Sequence, residues 1–136
     1  MEKLQLEIIT PEKLLVREDA DLVEAPGTAG EFGVLPGHVA FLSTLNHGEI
    51  RFSNEGRTRF VATSGGFAEV RENRVLLLLD TAEFGEEIDL ARAHKARERT
   101  EAALKGLTFE QEEYTHLAAA LLRALTRIAT ASKTQA

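Results

Sequence analysis

With 136 residues, 43% of them hydrophobic and 28% charged, the chain can bury one sizeable core, or one core and a small appendage, and its composition is neither disordered nor fibrous. A formal net charge of -6 argues against nucleic acid or an anionic bilayer as the main partner, because both require clustered positive charge. The absence of cysteine excludes disulfides, thiolate metal sites and a cysteine nucleophile, and four scattered histidines do not compose a metal site.

The first residues carry Glu2, Lys3 and Glu7 and lack the uninterrupted apolar core of a signal peptide. Leu4, Leu6 and Ile8 alternate with Gln5 and Glu7, which predicts a half-buried strand ending in a turn at Thr10-Pro11. Residues 14–17 and 20–25 continue as short β-like runs, and Pro26-Gly27-Thr28-Ala29-Gly30 reads as a loop. In Gly30-Glu31-Phe32-Gly33-Val34-Leu35-Pro36-Gly37-His38 the glycines and proline predict tight turns around a small apolar plug. Further strands are expected at residues 40–45, 49–52, 58–62, 67–70 and 75–79, with a tight hairpin at Arg71-Glu72-Asn73-Arg74. The run 75–79, apolar throughout, suits a strand buried on both faces, and it is far too short to cross a bilayer. Short strands punctuated this often form an antiparallel β-sandwich or flattened barrel, here over residues 1–84.

Between Thr81 and Arg99 the hydrophobic period changes from two residues to about 3.6. Residues 85–136 therefore predict a C-terminal antiparallel two-helix hairpin, so the fold class is α+β. The first helix, rich in Ala, Glu, Lys and Arg, is expected to end on Gly106 as a C-cap. The second runs from Thr108 to Ser132, with Thr108 as N-cap and Gln111 closing a capping box. Its apolar face is Tyr114, Leu117, Leu121, Leu125 and Ile128, flanked by Ala118 and Ala124. The first helix offers only Ile88, Leu90 and Leu104 as larger apolar groups, so the hairpin is expected to be weakly held and able to change conformation.

Asp89, Arg92, Ala93, Ala96 and Arg99 share roughly one helical face, which sets a carboxylate and two guanidinium groups across small alanines. That set suits a nucleotide, with the carboxylate on ribose or base and the arginines on phosphate. It equally suits a solvated helix laced by ion pairs such as Asp89 with Arg92. Arg123 and Arg127 lie one turn apart on the second helix, opposite its leucines, and could approach the other arginines only with an anion to offset the repulsion. No Walker-type loop and no nucleophile elbow occurs.

Four segments in this order, Ile8-Ile9-Thr10-Pro11, residues 30–38, Ser64-Gly65-Gly66-Phe67 and Ile88-Asp89-x-x-Arg92-Ala93, resemble the epsilon subunit of bacterial F-type ATP synthases over nearly the whole chain. The resemblance implies a non-catalytic rotor subunit of the central stalk, with no required cofactor, that binds the gamma subunit and the ring of c subunits. It further implies inhibition of ATP hydrolysis through contacts with alpha and beta subunits when the helices extend. Membrane association would be indirect, as a peripheral part of the complex on the cytoplasmic face of the bacterial membrane. The likeness assigns Glu31 and His38 to subunit contacts, and Glu83, Ile88, Asp89, Arg92, Ala93, Arg99, Arg123 and Arg127 to binding of ATP as a regulatory ligand in the folded hairpin. Two other readings are a free-standing nucleotide sensor, and a sandwich enzyme using His38 with Glu31.

Overall fold

The computed structural model describes residues 2–135, and the chain divides into two compact units, Met1–Phe84 and Gly85–Ala136. The first unit holds ten strands, β1 Leu4–Ile9, β2 Leu14–Ala20, β3 Leu22–Gly27, β4 Gly30–Val34, β5 Phe41–Leu45, β6 Gly48–Asn54, β7 Arg57–Thr63, β8 Gly66–Arg71, β9 Arg74–Leu79 and β10 Ala82–Phe84. They hydrogen-bond in the order β10-β7-β6-β3-β5-β8-β9-β1-β2, with β4 on the other side of β3. The link from β3 to β5 is a single pair, Gly27 with Leu45. There the sheet turns from one layer, β10-β7-β6-β3-β4, into the other, β5-β8-β9-β1-β2. The corner is held by Thr28 N–H donating to Thr44 O at 3.0 Å and Asn46 N–H donating to Pro26 O at 2.9 Å.

Inward-facing residues alternate along each strand, as a half-buried sheet requires. Leu4, Leu6 and Ile8 of β1 meet Ile50, Phe52, Val61, Val75 and Leu77 in one contiguous aliphatic core. All neighbours are antiparallel except β1 and β9, which run parallel from Gln5 beside Arg74 to Ile9 beside Leu78. This pairing departs from the all-antiparallel expectation. It arises because the N-terminal strand is inserted between β2 and β9 instead of lying at an edge.

Three further expectations are corrected in this unit. Residues 26–30 are not a loop, since β3 runs to Gly27 and β4 starts at Gly30, leaving only Thr28 and Ala29 as the turn. The segment after Gly30 is likewise a strand until Val34, its glycines pairing in register with β3 instead of forcing turns. Strand β9 is not buried on both faces: Val75, Leu77 and Leu79 point into the core, whereas Leu78 is 44% exposed. The hairpin at residues 71–74 forms as expected, with Glu72 and Asn73 at φ of 49° and 60°, the left-handed pair that a tight primed turn needs. At Gly66, φ is +151° and an added Cβ would collide with the carbonyl oxygen of Leu78, so no side chain fits where β8 begins.

The second unit opens with a short 3₁₀ turn over Gly85–Glu87, followed by α1 Leu90–Leu104 and α2 Glu112–Ser132. Helix α1 ends on Lys105 in right-handed conformation, so Gly106 is not the left-handed C-cap its identity suggested. Helix α2 starts four residues later than expected. Gln111 Oε1 does accept Thr108 N–H at 2.9 Å, the returning half of a capping box, but it closes an isolated turn over residues 108–111 and Gln111 itself becomes the N-cap.

The buried residues of the two helices are Ala93 and Thr100 on α1, and Ala124, Thr130 and Ala131 on α2. The helices thus meet along small side chains one heptad apart. The two threonines satisfy their hydroxyls within their own helices, Thr100 on Ala96 O at 2.6 Å and Thr130 on Thr126 O at 2.8 Å. The leucine face expected to be covered is only partly so, for Leu125 is 43% exposed. Alanine permits a closer approach than leucine, and the seam rotates toward the alanines.

Candidate functional site

Asp89 is not on the helical face that the spacing suggested. It is the N-cap of α1, in extended conformation, and its Oδ1 accepts the backbone N–H of Arg92 at 3.0 Å. Its charge lies at the positive end of the helix dipole. The expected ion pair with the Arg92 side chain is replaced by this backbone bond, because an N-cap carboxylate is closer to the first-turn amides than to a side chain leaving the helix. Ile88 and Ala93 are buried, 3% and 0% exposed, and serve packing around the capped turn. Arg92 and Arg99 are exposed, and the ion pair α1 forms is instead Arg97 with Glu101 at 3.4 Å.

On α2, Arg123 is exposed and Arg127 half-buried. Gln135 Nε2 donates to Ile88 O at 2.9 Å, which fixes the antiparallel register of the hairpin. At about 1.5 Å rise per residue in both helices, Arg127 and Arg123 then lie roughly level with Ala96 and Thr100, the part of α1 that carries Arg99. The helical unit holds five arginines, of which Arg97 pairs with Glu101, and among the described residues Arg92, Arg99 and Arg123 have no carboxylate partner. Glu83 belongs to the sandwich unit, on β10 opposite Ala62 of β7.

Glu31 lies on β4, paired with Pro26 of β3, and His38 lies in the loop that leads out of β4. Glu31 Oε1 accepts from the Arg51 guanidinium at 2.6 Å, and Glu24 adds a longer contact at 3.3 Å. The bond to Glu31, with the nearby charges of Glu24 and Glu49, holds Arg51 above its ordinary value against the opposing effect of burial. His38 Nδ1 is 2.7 Å from Val39 O, and its ring stands edge-on to Phe41, which in turn stands edge-on to Phe32. Asn73 Oδ1 accepts Gly37 N–H at 2.7 Å and ties this loop to the β8–β9 turn. The loop presents Leu35 and Val39 to solvent, 59% and 74% exposed.

Three contributors were missed from sequence. Arg51, on β6, pairs with Glu31 of β4, and Asn73, in the β8–β9 turn, holds the loop, and no spacing rule links either to it. The third is an outward-facing apolar row across the second layer, Phe67 of β8, Leu78 of β9, Ile9 of β1 and Leu14 of β2, which are cross-strand neighbours in that order. Phe67 is 55% exposed. The alternation of β8 and β9 carried the signal, which was lost when 75–79 was taken as buried throughout. Among the described residues no three carboxylate or imidazole groups come together to hold a metal ion, and no helix is long and apolar enough to cross a membrane.

Residues 3–85 match the family model described as ATP synthase, Delta/Epsilon chain, beta-sandwich domain, and residues 86–132 match ATP synthase, Delta/Epsilon chain, long alpha-helix domain. The ATP synthase epsilon chain of Nitratidesulfovibrio vulgaris is 49% identical over 129 residues, covering 94% of this chain and 96% of the relative. That of Syntrophobacter fumaroxidans is 49% identical over 133 residues, covering 98% of each. Among solved structures, a chain of the Euglena gracilis mitochondrial ATP synthase OSCP/F1/c-ring assembly superposes with a TM-score of 0.76 at 25% identity, covering 90% of this chain and 79% of that one. A chain of the Tetrahymena thermophila mitochondrial ATP synthase central stalk/c-ring shares the fold, with a TM-score of 0.63 at 13% identity over 99% of this chain and 98% of that one.

Proposed function

The chain belongs to the ATP synthase delta/epsilon family, as a non-catalytic epsilon-type component of the central stalk, and from that premise we propose that its sandwich couples a gamma subunit to the c ring while its hairpin regulates ATP hydrolysis. The observation that carries the docking half is the outward-facing row of Phe67, Leu78 and Leu14, exposed, with Ile9 half-buried between the last two. Contiguous apolar surface of this kind marks a protein contact more often than a free face. Glu31 of β4 and the following loop with Leu35, His38 and Val39 supply a second contact, directed to the c ring. Attachment to the membrane is peripheral, on its cytoplasmic face and through the complex.

For the hairpin, the proposal is that ATP binds the folded form through Asp89, Arg92, Arg99, Arg123 and Arg127, packed around Ile88 and Ala93, and disfavours an extended form that reaches alpha and beta subunits and inhibits hydrolysis. Arg92, Arg99 and Arg123, which have no carboxylate partner among the described residues, support an anionic ligand, because each guanidinium keeps its charge-assisted donors available. The capping role of Asp89 shapes the test. Asp89→Asn keeps the cap, whereas Asp89→Ala removes cap and charge together. By calorimetric ATP titration, Arg92→Ala and Arg99→Ala are expected to weaken binding by roughly tenfold or more each, the scale of one charge-assisted hydrogen bond. Binding unchanged in both variants removes ATP from the proposal. Separate elution of the chain and a gamma subunit at micromolar concentration removes the docking role, and Phe67→Ser with Leu78→Ser is expected to cause that separation.

A further inference from the structure

We infer that the C-terminal turn after α2 is a latch that holds the hairpin closed, independently of any nucleotide. Gln135 Nε2 donates two hydrogen bonds, to Gly85 O at 2.8 Å and to Ile88 O at 2.9 Å. Both acceptors lie in the segment that leads into α1, so one amide clasps the first residues of the helical unit to its last. Gly85 is fitted to the same contact. Its φ is not in the left-handed region, yet an added Cβ would lie 2.7 Å from Thr134 Oγ1 and 2.9 Å from Thr130 O. The reason for glycine here is therefore the close approach of the last turn, and not backbone conformation. Around this point Ala131 and Thr130 are fully buried and Ile88 nearly so, so the open end of the hairpin is closed to solvent.

The position decides the consequence. The interhelical seam is made of small side chains, so the free energy that resists separation along its length is low. The two helices are joined covalently at the other end by residues 105–111, so parting them begins at the end away from that connection. Two hydrogen bonds and a close glycine contact at that end therefore weigh more in the closed-to-open equilibrium than the same contacts would beside the connecting turn. That this equilibrium sets inhibition of hydrolysis rests on the proposed function above; the latch itself does not.

The chain has no cysteine, so spin labels at Lys95→Cys and Ala129→Cys, both exposed, report the distance between the helices in the isolated protein. The parent is expected to give one narrow short distance. Gln135→Ala removes both bonds and is expected to raise the open population roughly tenfold. Gln135→Glu sets a carboxylate against two carbonyl oxygens and is expected to raise it further. Gly85→Ala acts from the other side of the contact and is expected to open the hairpin with helical content by circular dichroism retained. Distance distributions in all three variants that superimpose on the parent overturn the latch. If the variants open the hairpin and the assembled ATPase is inhibited to the same extent as with the parent chain, the latch stands and the regulatory reading fails.

Discussion

The two units solve the same packing problem with different side chains. The sandwich closes on Leu4, Leu6, Ile8, Ile50, Phe52 and Leu77, all nearly inaccessible to solvent, whereas the hairpin closes on Ala93, Thr100, Ala124, Thr130 and Ala131. Burying one large aliphatic or aromatic side chain contributes about 1.5–3 kcal/mol, against about 0.8 kcal/mol for a single methylene-sized group. Per helical turn the seam therefore gains a fraction of what a strand gains in the core. A sheet built this way presents a fixed surface. A hairpin built this way is expected to exchange its tertiary contacts more readily than the sandwich core does.

Three measurements bear on that contrast, from the largest effect to the smallest. Phe52→Ala should cost about 3–5 kcal/mol and appear as loss of cooperative thermal unfolding of the sandwich. Retention of the parent melting temperature would break the comparison, since the core would then be as yielding as the seam. Ala131→Leu overfills the helix contact and should cost about 1–3 kcal/mol, read as faster hydrogen exchange confined to α1 and α2. Equal loss of protection in the strands would mean that the two units do not differ as described.

The smallest effect concerns the sandwich surface. The Asp21 carboxylate is held below its ordinary value of 3.8 by the hydrogen bond from Lys3 Nζ, then by the Glu55 N–H, against a small opposing effect of desolvation. A group depressed in the folded state adds stability above its unfolded pKa and loses it as the pH falls through the folded one. The melting temperature of Asp21→Asn should therefore trail the parent at neutral pH, and the gap should close as the pH drops below 3.8. Because the pair is exposed, added salt should shrink the gap as well.

The sandwich was legible because its signal is local. Alternation at Leu4, Leu6 and Ile8, and the turn residues Glu72 and Asn73, determine strand and hairpin without reference to anything distant. What escaped depended on partners. The parallel seat of β1 beside β9 is a choice among edges that period-two patterns do not encode. Gly30 and Gly33 look like loop residues until β3 is known to lie alongside. In the hairpin, the leucines at 117, 121 and 125 form the more hydrophobic stripe, but closeness of approach favours the alanines, and that term has no signature in hydrophobicity alone. Asp89 was singled out by its motif and misplaced by its geometry, since an acidic residue one position before a helix reads the same as one inside it. Gln135, in the polar tail SKTQA, carried no signal at all.

The parallel pairing of β1 and β9 has a kinetic consequence. Leu6 lies beside Val75, about seventy residues along the chain, so seating the first strand closes a long loop and raises the contact order of the sandwich. During synthesis β1 has β2 beside it at once but waits for its second neighbour until Leu79 has emerged. Only then does residue 85 follow. The sandwich is thus complete in sequence before the helical unit is made, and its slow long-range pairing needs no residue of the helices.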